Sequence, residues 1–62
     1  MKIIPDIERI KIFDDNNCVV GYVEDETLYA IDRDGYAVPV GTISHQNEIE
    51  KTLTEWRKSN LN

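Results

Sequence analysis

Short runs of β-branched and aromatic residues alternate with clusters of Asp, Asn and Gly through the first two thirds of the chain. That alternation predicts strands over residues 8–13, 18–24, 27–32 and 36–43, with breaks at 14–17, 25–26 and 34–35. Asp34-Gly35 is the strongest hairpin signal, since both central residues of a type I′ turn need positive φ. The connections are too short for parallel crossovers, so an antiparallel meander is expected. After Ser44 the period becomes helical: Ile49, Leu53 and Trp56 fall at i, i+4 and i+7 as one apolar stripe. Ser44 or Asn47 is the candidate N-cap, and Asn47 has Glu50 three residues on, as a capping box requires. Arg57 and Lys58 sit where the helix dipole favours cations. The first seven residues, with Pro5, read as an extended lead-in. The expected fold is therefore α+β. A four-stranded antiparallel β-meander over 1–43 is followed by one C-terminal helix over 44–62 packed on one face, all in a single domain, 1–62.

A weak internal repeat runs through the strands. Phe13-Asp14, five residues and then Val20 precede Gly21-Tyr22-Val23; Ile31-Asp32, five residues and then Val38 precede Gly41-Thr42-Ile43, with Pro39 and Val40 added in the second copy. The pattern resembles small β-proteins built on Asp-x-Asp-Gly … Val-Gly-x-Val hairpin repeats, including the four-fold β-flower type, over about half the chain. The resemblance implies an architecture and no particular activity.

Turn lengths give an expected register. Pairing Phe13 with Cys18, Val23 with Leu28 and Arg33 with Tyr36 sorts side chains onto two faces. One collects Phe13, Cys18, Val20, Tyr22, Tyr29, Ile31, Tyr36, Val38 and Val40. The other collects Ile10, Ile12, Val19, Gly21, Val23, Leu28, Ala30, Ala37, Pro39, Gly41 and Ile43, with small residues along its middle where a helix approaches closely. Four strands make a sheet roughly 19 Å wide, whereas a helix is about 10 Å across. One short helix cannot cover two apolar faces. The tyrosine-bearing face is the expected interface for self-association or for a protein partner, because tyrosine tolerates solvent when free and anchors an interface when bound.

Composition narrows the class. The chain has 62 residues, 40% hydrophobic and 31% charged, with a net charge of −5. That length is that of one small domain, which usually needs disulfides, a metal or a partner to make up for a small core. No apolar run is long enough for a membrane span, and no secretory signal pattern is evident. Cys18 is the single cysteine, which excludes an internal disulfide and makes a reducing cytoplasm the expected compartment. One Cys and one His do not make a zinc site, and no cofactor motif is present. Residues 1–43 hold nine acidic and four basic residues, giving −5; residues 44–62 hold three of each. In a meander the first and third turns share an end, gathering Asp14, Asp15, Asp32 and Asp34 beside Arg33. These are ordinary turn formers. They also suit docking on a basic partner. As Ca²⁺ or Mg²⁺ ligands, with Asn16, they lack the closing glutamate of a calcium loop.

Catalysis requires a nucleophile, a base and an orienting group converging in a pocket. His45 and Ser44 fall at a helix start, and Cys18 lies beside acidic residues that blunt a thiolate. No catalytic or metal residues are expected, and the protein is not expected to be an enzyme. Direct nucleic-acid binding is disfavoured by the acidic balance. The expected function is that of a small acidic inhibitor or regulator of phage or mobile-element type. It would dock on a protein partner, or on itself as a homodimer or higher oligomer, through Tyr22, Tyr29, Tyr36, Val20, Val38 and Val40 and the acidic turns Asp14, Asp15, Asp32 and Asp34. The alternative is a homo-oligomer that sequesters a small ligand such as a nucleotide.

Overall fold

The computed structural model describes residues 1–61 and consists of an antiparallel sheet with one helix against it. Five strands follow one another in space as in sequence: β1 (Lys2–Pro5), β2 (Ile10–Phe13), β3 (Val19–Glu24), β4 (Thr27–Ile31) and β5 (Ala37–Thr42), then α1 (Glu48–Asn60). The meander, the C-terminal helix and the α+β class match the expectation; the strand count does not. The supposed lead-in is β1, paired with β2 from Lys2↔Phe13 to Pro5↔Ile10. A turn makes this possible: Asp6 N–H donates to the Arg9 carbonyl at 3.0 Å, and the Asp6 carboxylate accepts the Ile7 N–H at 2.7 Å. Pro5 is tolerated because it sits at the end of an edge strand.

The helix forms from the expected stripe. Ile49 and Leu53 are fully buried and Trp56 packs beside them. Asn47 makes no side-chain cap hydrogen bond and has helical φ and ψ, so the capping box is not formed. The preceding turn replaces it, with Glu48 N–H and Ile49 N–H donating to the carbonyls of His45 and Gln46. Two of the orphan donors of the first turn are thus met by backbone instead of a side chain.

Two hairpins share one design. Asp14 N–H donates to the Cys18 carbonyl and Asn17 N–H to the Asp14 carbonyl; Asp32, Tyr36 and Gly35 repeat the arrangement. Each aspartate also accepts two further N–H groups on Oδ1: Asp14 from Asn16 and Cys18, Asp32 from Asp34 and Tyr36, all at 2.8–3.0 Å. The third loop residue is left-handed in both, Asn17 at φ 63° and Gly35 at φ 88°. This is a three-residue loop with a left-handed closing residue, not the type I′ turn expected at Asp34-Gly35. The type I′ geometry occurs instead at Asp25-Glu26, with φ of 51° and 64°.

Loop size sets register, and the register differs from the expected one. Tyr36 meets Asp32 rather than Arg33, so Val38 lies opposite Ala30 and Pro39 opposite Tyr29. Each hairpin also carries a β-bulge. The ladder shifts between Ile12↔Gly21 and Phe13↔Val19, and again between Leu28↔Gly41 and Tyr29↔Pro39, leaving Val20 and Val40 as the inserted residues. A bulge sets two residues against one and lets both lean to one side. Val20, Val38 and Val40 therefore pack with the core under the helix, not on the tyrosine face; Val20 is buried, and the other two are half-buried against the core. Val19, Ala37 and Pro39 move the opposite way and are exposed.

The core is Ile12, Val20, Val23, Leu28, Ala30, Ile43, Ile49 and Leu53. Gly21 lies under the helix: a Cβ there would stand 2.6 Å from the Tyr29 carbonyl oxygen and 3.4 Å from Leu53 Cδ2. Gly21→Ala forces backbone apart and is expected to cost about 2 kcal/mol, the range of overpacking. Gly41→Ala, with nothing within 4 Å of the new methyl, is expected to stay within about 0.5 kcal/mol of the parent. Urea denaturation of the two variants checks both. At the β3–β4 turn, replacing Asp25-Glu26 by Asn-Gly puts the two residue types that best tolerate the left-handed region at φ 51° and 64° and raises stability by about 0.5 kcal/mol in the same assay.

Candidate binding face

With the helix on one side, the opposite sheet face is built by register alone. Ile4↔Lys11, Lys11↔Tyr22, Tyr22↔Tyr29 and Tyr29↔Pro39 line up as one row across all five strands. Paired residues share a face, so Ile4, Lys11, Tyr22, Tyr29 and Pro39 point away from the helix. Lys2, Phe13 and Val19 flank the row on one side, Glu24, Thr27 and Thr42 on the other.

The centre of the row is ordered. The Tyr22 and Tyr29 rings stack at 5.0 Å between centroids and 23° between planes. The Arg9 guanidinium lies over Tyr22, 4.7 Å from its centroid. Arg9 comes from the β2 side and Tyr29 from β4, so Tyr22 is held between a cation and a ring. Arg9 Nη2 also meets Glu24 Oε2 at 3.2 Å, and Lys11 Nζ meets Asp6 Oδ2 at 3.5 Å. Asp6 is held below the ordinary carboxylate value by the Ile7 N–H first and by Lys11 second.

The sheet edges are poorer docking sites. β1 carries Lys2 and Pro5, while β5 carries Pro39 and its bulge, devices that blunt strand addition. The three tyrosines separate: Tyr22 and Tyr29 are on the face and half-buried, whereas Tyr36 is 70% exposed at the loop end. Phe13 and Ile31 keep to the outer face.

The acidic end is less bare than the sequence suggests. Asp14 and Asp32 spend their carboxylates on their own loops. Asp15 meets the amino terminus at 3.4 Å, and Lys2 donates to Asn17 at 3.0 Å. The Asp14 carboxyl is held below its ordinary value of 3.8, chiefly by the Cys18 N–H. Desolvation opposes this, and the Asn16 N–H, the Arg57 charge and the amino terminus add to it. Among the described residues no group of three or more His, Cys, Asp or Glu is placed to hold a metal ion.

At the opposite end a cleft between the 6–10 segment and the 43–46 connection is lined by Arg9, Glu24, Glu26, Ser44 and His45. Among the described residues, no hydrogen bond joins the side chains of Ser44, His45 and Glu26. Cys18 is exposed in the first loop, at the other end of the sheet. Sequence reasoning missed Arg9, Lys11 and Ile4 as members of the face: Arg9 and Lys11 alternate with Phe13, already assigned to it, and Ile4 was hidden because the first strand was read as a lead-in.

Among the described residues no helix is long and apolar enough to cross a membrane. No protein-family model, curated protein or solved structure matches the chain.

The Asp14 loop predicts an acid response. A carboxylate whose folded pKa is lowered contributes stability that is present above its unfolded pKa and lost as pH falls through the folded one. The Asp14 contribution is thus complete above pH 3.8 and fades below it. Asp14→Asn is expected to be less stable than the parent at neutral pH, with the deficit narrowing as pH drops below that value, read by denaturation at each pH.

Proposed function

We propose that this chain is a non-catalytic binding protein that docks on a protein partner through its outer sheet face, acting as an inhibitor or regulator by occupying that partner. The observation that carries the reading is the uncovered row Ile4–Lys11–Tyr22–Tyr29–Pro39 with the stacked tyrosines at its centre. Tyrosine combines a large apolar body with a polar tip and is enriched in interfaces. Rings already fixed by stacking lose little side-chain freedom on binding, which leaves more of the contact energy as affinity. The blunted strand edges keep copies of the sheet from joining sideways. Val20, Val38 and Val40 support the face from beneath rather than touching the partner. Asp15, Asp34 and Tyr36 belong to the loops at one end of the strands.

A second reading, a homo-oligomer enclosing an anionic ligand such as a nucleotide, is favoured by one observation: Lys2, Arg9 and Lys11 are on the same face as the tyrosines.

Tyr22→Ser with Tyr29→Ser separates these readings from a packed role for the rings. The double variant is expected to keep a far-UV CD spectrum near that of the parent and to lose the proteins that the parent captures from lysate. Unfolding of the double variant, or unchanged capture, contradicts the docking reading. Light scattering after size exclusion is expected to give a monomer; a dimer that the double variant abolishes favours the second reading instead.

A further inference from the structure

We propose that the occupant of the outer face is an acidic, extended segment of a partner protein, its carboxylates meeting Arg9 and Lys11 beside the Tyr22–Tyr29 stack. This rests on the docking reading above and adds the partner's chemistry.

The charge map supports it first. Of the four cations in residues 1–43, three belong to this face, Lys2, Arg9 and Lys11; the fourth, Arg33, is in a loop. On the strands the face has one carboxylate, Glu24, and Asp6 reaches Lys11 from the β1–β2 turn. With three cations against two carboxylates, the face carries an excess of one positive charge within a chain of net −5, and complementary potential favours an acidic partner there.

The two ion pairs supply the second observation. Arg9–Glu24 and Lys11–Asp6 are solvated pairs, with side chains 36–51% exposed. Exposed pairs of this kind are weak. Glu24 and Asp6 already occupy the positions that incoming carboxylates take, so exchange keeps the charge contacts and adds apolar contact with Tyr22, Tyr29 and Ile4. The four inter-strand steps from Ile4 to Pro39 give a row roughly 19 Å from end to end, the span of about six extended residues.

A nucleic acid fits less well. Bases bind such platforms by stacking on open ring faces, yet Tyr22 has Arg9 on one side and Tyr29 on the other. Asp14, Asp15, Asp32 and Asp34 lie at one end of the strands and Glu24, Asp25 and Glu26 at the other, so a continuous phosphate chain running along the strands meets carboxylates at both ends.

The test is an NMR titration of the full chain with three probes: a short peptide alternating Glu and Phe, the same peptide with Lys for Glu, and oligothymidylate. The Glu-Phe peptide is expected to shift Arg9, Lys11, Tyr22 and Tyr29. Arg9→Glu with Lys11→Glu is expected to weaken it on the order of tenfold. Asp6→Asn with Glu24→Gln removes the competing carboxylates and is expected to tighten it on the order of threefold. The second pair keeps the test decisive if the charge-reversed chain fails to fold: no gain in affinity overturns the proposal. Preference for the Lys-Phe peptide at the same residues overturns the acidic partner and leaves the docking face standing. Shifts from oligothymidylate alone, or from no probe, overturn both.

Discussion

Leu53 comes down on Gly21, and the rest of the molecule is arranged around that approach. A helix of 13 residues carries little apolar surface, so its stripe must meet the sheet closely to exclude water. Gly21 and Ala30, paired on neighbouring strands, provide the depression that admits Leu53. Larger residues, Ile12, Val23, Leu28 and Ile43, complete the sheet's share of the core. Buried apolar area is the main stabilising contribution available to a small chain whose single cysteine forms no internal disulfide.

The two bulges let the sheet meet this demand. Each lies at a Val-Gly pair, Val20-Gly21 and Val40-Gly41, where the inserted valine turns inward and the glycine remains opposite a core residue of the neighbouring strand. A bulge also bends and twists its strand. The meander therefore supplies valines to the helix side from positions that simple alternation assigns to the other side. The outer face loses Val20, Val38 and Val40, takes Val19, Ala37 and Pro39 in their place, and retains Tyr22, Tyr29, Phe13 and Ile31. With Lys2, Arg9 and Lys11 beside the rings, it also carries cations that the expected set of face residues lacks.

Much of this order is legible in the sequence, and its failures have physical causes. The meander, the Val23–Leu28 pairing and the Ile49–Leu53–Trp56 stripe follow from periodicity, because in each case burial on one face leaves one solution. The helix side of Gly21 and Ala30 follows from their size. β1 was hidden by Pro5, whose cost vanishes at a strand end. The loop type was hidden because Asp-Gly serves both a type I′ turn and a three-residue loop; what decides is Asp32 Oδ1 accepting two N–H groups, a geometry that Asp14 repeats. The repeat Phe13-Asp14…Val20 and Ile31-Asp32…Val38 was visible as a pattern, and its content is that loop. A glycine inside each strand, following a valine, was the available sign of the bulges. Missing it sent Val20 and Val40 to the wrong side, and the mistaken loop did the same to Val38.

The central claim is that one face is closed by valines and helix while the other is left to the tyrosines. Methyl–aromatic NOEs measure it directly. The methyls of Val20, Val38 and Val40 are expected to connect to the group formed by Ile49, Leu53 and Trp56 and to show no cross-peaks to the rings of Tyr22 and Tyr29. Cross-peaks from those valines to the tyrosine rings, with none to the helix, would contradict the account.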